Sequence, residues 1–172
     1  MSHNPSAMPK ASVSHSLASN RGLDNLRLDR QLCFALYAAT HAMTRAYRRE
    51  LADVGLTYPQ YLLMLVLWEQ DEASVSVIAD TLDLDAATVT PLVKRLEAAG
   101  LVARLRIAGD DRIVCVKVQP KGWAIRERVA QVQKRIACRT GLEDAAFERL
   151  KTTLLEVAHC MKTAPRRERR RA

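Results

Sequence analysis

Residues 77–118 read VIADTLDLDAATVTPLVKRLEAAGLVARLRIAGDDRIVCVKV. Val77 to Leu82 is patterned as a short helix, and Asp83-Leu84-Asp85 makes a tight connection. Asp85 suits the N-cap of a second helix, because its carboxylate can accept a free backbone N–H two or three residues on. That helix runs to about Ala99, and Gly100 suits the left-handed position that ends it. Val89, Leu92, Val93 and Leu96 recur at helical spacing and form its core face. Thr88, Thr90, Pro91, Lys94 and Arg95 lie largely away from that face. A helix, a tight turn and a second helix with a polar, basic outer side form a helix-turn-helix, whose second helix enters a DNA major groove.

Leu101 to Ile107 (LVARLRI) and Arg112 to Val118 (RIVCVKV) alternate as strands, joined through Ala108-Gly109-Asp110-Asp111. A hairpin directly after a recognition helix is a wing, and this one carries Arg104, Arg106, Arg112 and Lys117. The plainer alternative is a core hairpin with solvated charges. Basic charge, helix pair and hairpin follow one another in the order that nucleic-acid binding needs. Pro91 lacks the N–H that would bond the Ala87 carbonyl, so a slight bend is expected there. That bend either shapes how the helix meets a groove or is a tolerated kink.

These features, with Leu96-Glu97-Ala98-Ala99-Gly100-Leu101-Val102, Asp110-Asp111-Arg112 and a hydrophobic strand closing on Gly122, resemble the MarR family of bacterial regulators. The resemblance covers roughly residues 28 to 162. It implies an obligate homodimer on a near-palindromic double-stranded DNA operator, with Arg112 in the minor groove and Asp110 orienting it. Pro120 departs from the family pattern, which usually has Thr there. That puts in doubt only the entry into the following helix.

The chain has 172 residues, enough for one domain with a core. Formal net charge is +8. The Arg-rich end, residues 166–171, supplies +4 of it and residues 1–24 supply +1, which leaves +3 for the body. DNA affinity must therefore come from locally placed charge and from dimerisation. No stretch is apolar enough to span a membrane, and no signal-peptide core is visible, so a cytoplasmic protein without a membrane partner is expected. Cys33, Cys115, Cys138 and Cys160 show no C-x-x-C or C-x-x-H spacing, which argues against zinc. No cofactor is implied. In a reducing compartment the starting expectation is four free thiols.

Residues 1–27 read as a disordered Ser-rich tail and 163–172 as a basic tail. Between them the pattern is mainly α with a small β-hairpin wing. A winged helix-turn-helix over about 58–120 is joined to dimerisation helices over about 29–52 and 121–162. Asp29 is expected to cap a helix from Arg30 to Leu51, with Leu28 stapled on Cys33. Leu32, Leu36, Ala39, Met43 and Ala46 form its apolar stripe. Gln60 to Gln70, opened by Thr57-Tyr58-Pro59, is apolar almost all round and should be the central buried helix. Lys121 to Arg139 reads as one long helix, with apolar Trp123, Ile125, Val129, Val132 and Ile136. Glu143 to Lys162 is the last helix, with Phe147, Leu150, Leu154, Val157 and Met161 on one stripe. These apolar faces exceed what a small winged helix can bury, and a helical dimer interface is the simplest use for them.

Cys33 falls near the start of its helix, where unpaired N–H groups and the helix dipole favour a thiolate. As a bare residue it is equally a small hydrophobe in a helix start. The segments Leu32-Cys33-Phe34-Ala35-Leu36-Tyr37, Leu56-Thr57-Tyr58-Pro59-Gln60-Tyr61 and Thr90-Pro91-Leu92-Val93-Lys94-Arg95-Leu96-Glu97, together with Tyr47, look closely like the organic hydroperoxide regulator (OhrR) branch of the family. The resemblance implies that Cys33 is a peroxide sensor. Tyr47 and Tyr58 would hydrogen-bond it from the partner subunit, with Tyr37 nearby. It also implies that Cys138 matches a second cysteine that forms a disulfide between subunits. Cys33 and Tyr47 are 14 residues apart on one helix, roughly 21 Å along its axis, so they meet only across a dimer. Cys115 and Cys160 are assigned to packing.

The function expected is a homodimeric DNA-binding repressor, not an enzyme, released from its operator when organic hydroperoxide oxidises Cys33. The alternative is a MarR-type repressor released by a small phenolic or aromatic-acid ligand. A thiol peroxidase using Cys33 would leave the recognition helix unexplained.

Overall fold

The computed structural model of the chain describes residues 24–107 and 110–163, with side chains over 25–105 and 114–163. Both expected tails beyond those limits, and the wing-tip residues Ala108 and Gly109, lie outside the described residues. The chain divides into two compact units, one ending at His41 and one beginning at Ala42.

In the first unit, two short 3-10 turns, Asp24–Leu26 and Leu28–Arg30, precede α1 (Leu32–Leu51). The capping role expected of Asp29 is not realised. Asp29 lies inside the second turn, where Arg27 holds its carboxylate through two bonds of 2.9 and 3.1 Å. Those charged bonds occupy the oxygens that would otherwise accept helix N–H groups. The helix therefore begins two residues later than the pattern suggested. Leu28 is exposed, so no buried staple forms against Cys33.

The second unit contains the end of α1 and everything after it. Next comes α2 (Tyr58–Gln70), opened by Gln60, whose Oε1 accepts from the Thr57 N–H at 2.8 Å and the Thr57 hydroxyl at 3.0 Å. Pro59 takes the second helical position, where a missing N–H costs nothing. As expected, α2 is central: Leu63, Met64 and Leu67 are fully buried, together with Leu51 of α1. Each such side chain contributes about 1.5–3 kcal/mol.

β1 (Glu72–Ser74), α3 (Val75–Leu82), α4 (Ala86–Ala98), β2 (Val102–Ile107) and β3 (Asp110–Val118) follow. The sheet is antiparallel with order β1-β3-β2. β1 is an addition to the expected hairpin: Ala73 opposes Val116, and Val102 opposes Val118. The β2–β3 register is regular up to Arg106 opposite Val114, and is interrupted between Arg106 and Ile107.

The long helix expected over Lys121–Arg139 is two helices, α5 (Pro120–Ala124) and α6 (Arg126–Arg139), parted at Ile125. The Trp68 indole N–H donates to the Gly122 carbonyl at 3.2 Å. In an unbroken helix that carbonyl would serve the N–H of Arg126. Pro120 occupies the first position of α5, which suits it. Gly122 is held tightly: a Cβ there would lie 2.2 Å from the Leu101 carbonyl oxygen and 2.9 Å from the Val118 Cγ1. Gly141, at φ 67°, ends the segment before α7 (Asp144–Thr163).

Val129, Val132 and Ile136 join the core, whereas α7 buries no residue in the protomer. Leu150, Leu154, Leu155 and Met161 of α7 are exposed, as are Leu32 and Met43 of α1. Among the described residues, much of the apolar stripe of α7 and the Leu32 and Met43 positions of the α1 stripe are therefore left exposed, whereas Ala46 of α1 packs on the core.

Candidate functional site

The helix pair is built by local caps. Ser74 Oγ accepts the Val77 N–H at 3.2 Å and starts α3. Asp83, at φ 57°, ends α3 in the left-handed region that Asp tolerates, and the Leu84 N–H returns to the Ala79 carbonyl at 2.9 Å. Two residues later Asp85 Oδ1 accepts the Thr88 N–H at 2.6 Å. That bond holds the Asp85 carboxyl below the usual carboxylate range. The N-cap expected from the sequence is thus in place.

α4 buries Val89, Leu92, Val93 and Leu96, the face its spacing predicted. Thr88, Pro91, Lys94 and Arg95 are exposed on the other side. Thr90 is half-buried, and its hydroxyl bonds the Ala86 carbonyl at 2.7 Å. The helix continues through Pro91. Its C-terminus closes on Gly100 at φ 73°, and the Lys121 ammonium bonds the Ala99 carbonyl at 2.7 Å. A cation at that end complements the helix dipole.

The wing is less basic than its sequence suggests. Arg104 donates through Nε to Glu97 Oε2 at 2.7 Å, and its backbone N–H reaches Glu97 Oε1 at 3.2 Å. The N–H and the guanidinium together pull the Glu97 carboxyl below its ordinary range. Lys117 lies 3.9 Å from Asp71 and 3.8 Å from Glu72. Two of the four wing cations are therefore neutralised locally. The backbone of Asp110, Asp111 and Arg112 belongs to β3, but their side chains, and that of Arg106, lie outside the described residues.

Cys33 is the second residue of α1 and is exposed. Tyr37, one turn on, is exposed with its ring centre 4.2 Å from that of His41. In the second unit, Tyr47 and Tyr58 come together, their ring centres 5.1 Å apart. Tyr61 completes a cluster of three, stacked on Tyr47 at 5.1 Å and 6.0 Å from Tyr58. Burial, and then the neighbouring Tyr47, push the Tyr58 phenol up from its ordinary range. Tyr61 was not singled out from the sequence as a site residue; its spacing of three from Tyr58 on α2 was the available signal.

Cys138 is exposed in the last turn of α6. α6 is tied to the end of α1: Glu50 accepts from Arg135 at 2.7 Å and from Arg139 at 3.5 Å, and Arg128 bonds the Asp53 carbonyl at 2.6 Å. Cys115 is half-buried opposite Leu105. Cys160 is exposed on α7, so the packing role assigned to it is not met within the protomer. Among the described residues no group of His, Cys, Asp and Glu is arranged to hold a metal. Nor is any single helix there long and apolar enough to cross a membrane.

Residues 56–114 match the MarR family. Over 128 residues the chain is 47% identical to the HTH-type transcriptional regulator TtmR of Methylorubrum extorquens strain PA1, covering 74% of this chain and 66% of that one. It is 37% identical over 142 residues to the organic hydroperoxide resistance transcriptional regulator of Bacillus subtilis strain 168, covering 79% and 95%. The solved structure of reduced AbfR bound to DNA superposes with a TM-score of 0.70 at 31% identity, covering 82% of this chain and 96% of that one. AbfR in its disulfide-formed state superposes with a TM-score of 0.59 at 30% identity, covering 83% and 95%.

Proposed function

Because this chain belongs to the MarR family of DNA-binding transcriptional regulators, whose members bind DNA and form dimers, we propose that it is a homodimeric repressor released from DNA by organic hydroperoxide. α4 enters the major groove of a near-palindromic operator, with Thr88, Thr90, Pro91, Lys94 and Arg95 towards DNA and the wing, with Asp110 and Arg112, beside it. The exposed apolar faces of α1 and α7 form the dimer interface.

The observation that carries the sensing role is the exposed Cys33 thiol in the first turn of α1. The named function of the Bacillus subtilis relative supports it. In the first step the Cys33 thiolate attacks the outer peroxide oxygen, and the O–O bond breaks. The alkoxide takes a proton and leaves as an alcohol, and Cys33 becomes a sulfenic acid. In the second step the partner's Cys138 thiol attacks the Cys33 sulfur; the S–S bond forms and water leaves. AbfR, solved both reduced on DNA and with its disulfide formed, is a precedent for such a pair of states.

A second reading rests on a cavity of about 340 Å³ between α2 and α6, lined by Tyr61, Leu65, Trp68, Glu69, Arg126 and Val129 among others. An arginine at an apolar wall suits a small phenolic or aromatic acid. One experiment separates the two: operator binding by reduced protein before and after one equivalent of organic hydroperoxide, in wild type and Cys33→Ser. Loss of binding in the wild type alone supports the sensor. Loss on adding salicylate, with indifference to peroxide, supports the ligand-released repressor.

A further inference from the structure

The helix pair that carries α4 is acidic. Between Val75 and Gly100, Asp80, Asp83, Asp85 and Glu97 stand against only Lys94 and Arg95, a net charge of −2. On the wing, Arg104 is held by Glu97, and Lys117 lies close to Asp71 and Glu72. A DNA duplex presents one negative charge per about 1.7 Å of its axis, and affinity for it grows with the phosphates neutralised. Half of the formal charge of +8 sits instead in Arg166-Arg167-Glu168-Arg169-Arg170-Arg171. α7 sets where that segment starts. The Lys162 ammonium lies 3.0 Å from Asp83 Oδ1, and Thr163 is the last residue of α7. Asp83 ends α3, two residues before the Asp85 cap of α4. Both charged groups are exposed, so the pair adds little stability, but it puts the end of α7 at the turn of the helix pair. A chain covers at most about 3.3–3.6 Å per residue, so Arg166 lies within roughly 14 Å of Lys162 and Arg171 within roughly 32 Å. The segment can therefore reach across nearly one duplex turn of about 34–36 Å.

We propose that residues 166–171 are a second DNA-binding element, whose arginines neutralise backbone phosphates beside the groove that α4 occupies, once in each subunit. It rests on the groove docking of α4 proposed above. Guanidinium groups fork onto phosphate oxygens, and phosphates carry no base identity, so the segment adds affinity without sequence preference. Lys162 takes part by covering Asp83, a carboxylate that would otherwise repel the same phosphates. Pairing of the arginines with acids of the protein itself is the competing use of their charge. Two carboxylates at that turn already have partners: Asp83 has Lys162, and Asp85 Oδ1 accepts the Thr88 N–H.

The test uses the full-length reduced protein with Arg166→Gln, Arg167→Gln, Arg169→Gln, Arg170→Gln and Arg171→Gln combined. Two duplexes serve as probes, one selected from a random pool by the wild-type protein and a scrambled one of equal length. Binding to both is titrated at several salt concentrations. The slope of log affinity against log salt should become shallower by at least about 2 units, one phosphate per subunit at about 0.9 each. Affinity for both duplexes should fall by about tenfold or more at physiological salt, with the preference between them unchanged. Hydroxyl-radical footprinting should show backbone next to the α4 groove that the wild type protects and the variant leaves open. A wild-type slope in the variant overturns the proposal. So does a loss confined to the selected duplex, since the segment then reads bases, or a loss of protection only beyond one turn from α4. An unchanged slope, with binding to phosphatidylserine vesicles that the substitutions abolish, assigns the charge to a lipid surface and overturns it too. Wild-type affinity and slope in Lys94→Ala/Arg95→Ala overturn the docking of α4 itself, and the placement of the segment with it.

Discussion

Glu97 holds Arg104 twice, through the guanidinium at 2.7 Å and the backbone N–H at 3.2 Å. One carboxylate thus ties the last turn of α4 to the first half of β2. Glu97→Gln should loosen the wing and weaken operator binding several-fold, with the dimer unchanged by sedimentation.

The same bond sets a pH dependence. The folded Glu97 carboxyl, like that of Asp85, sits below its unfolded value. Their contributions are fully present above the unfolded carboxylate values of about 4. They are lost as pH falls through the lowered folded values. Stability to urea should therefore be flat for these groups from neutrality to about pH 5 and decline below pH 4. Glu97→Gln should shallow that acid limb; an acid limb identical to wild type would show that the pair does not stabilise the fold.

Arg112→Ala is expected to weaken operator binding by about 1–3 kcal/mol and relax preference at one position, as a groove-reading arginine would. Lys94→Ala, exposed on α4, should instead lessen the salt dependence of binding by about one unit of slope. Titrations at several salt concentrations check both. A Lys94→Ala protein with altered base preference and an unchanged slope would place that ammonium on a base.

Oxidation should join two chains through Cys33 of one and the partner's Cys138. After hydroperoxide, non-reducing electrophoresis should show a covalent dimer that Cys33→Ser and Cys138→Ser each abolish. Cys138→Ser should leave the Cys33 sulfenic acid open to further oxidation or capping. A monomeric oxidised band with DNA still released would leave a one-cysteine sensor. Disulfide geometry needs Cα atoms within about 7 Å. The ties of Glu50 to Arg135 and Arg139 would have to yield if α6 moves, so Glu50→Gln should speed cross-linking without changing the first oxidation step.

Gly122→Ala should destabilise the protein by on the order of 1–3 kcal/mol, the usual cost of overpacking. Its new methyl would meet the Leu101 carbonyl oxygen, a backbone atom that cannot swing aside. A thermal melt of the reduced protein checks this; an unchanged midpoint would mean that α5 shifts freely.

The helix pair was legible because its signals are local. Asp85 caps three residues ahead, Gly100 turns left-handed on its own account, and Val89, Leu92, Val93 and Leu96 repeat at the helical period. The candidate site was legible in part. Cys33, Tyr47 and Tyr58 came from a family resemblance, and the pairing of the two tyrosines appears in the fold. Tyr61 passed as one more apolar residue in a run that is apolar all round, since no period distinguishes a ring stacked on another tyrosine from one packed among aliphatic side chains.

By itself, then, the sequence determined the helix pair, its Asp85 cap and the buried faces of α2 and α4, because each depends on residues within one or two turns. Only the tertiary structure decided which strand extends the wing, because Glu72–Ser74 is too short to carry a period and pairs with residues more than forty positions away. It also decided that Arg104 and Lys117 are spent on Glu97, Asp71 and Glu72, since charge in a sequence has no partner until the chain folds. The break at Ile125 has the same origin: a tryptophan from α2 takes the carbonyl that a continuous helix would need.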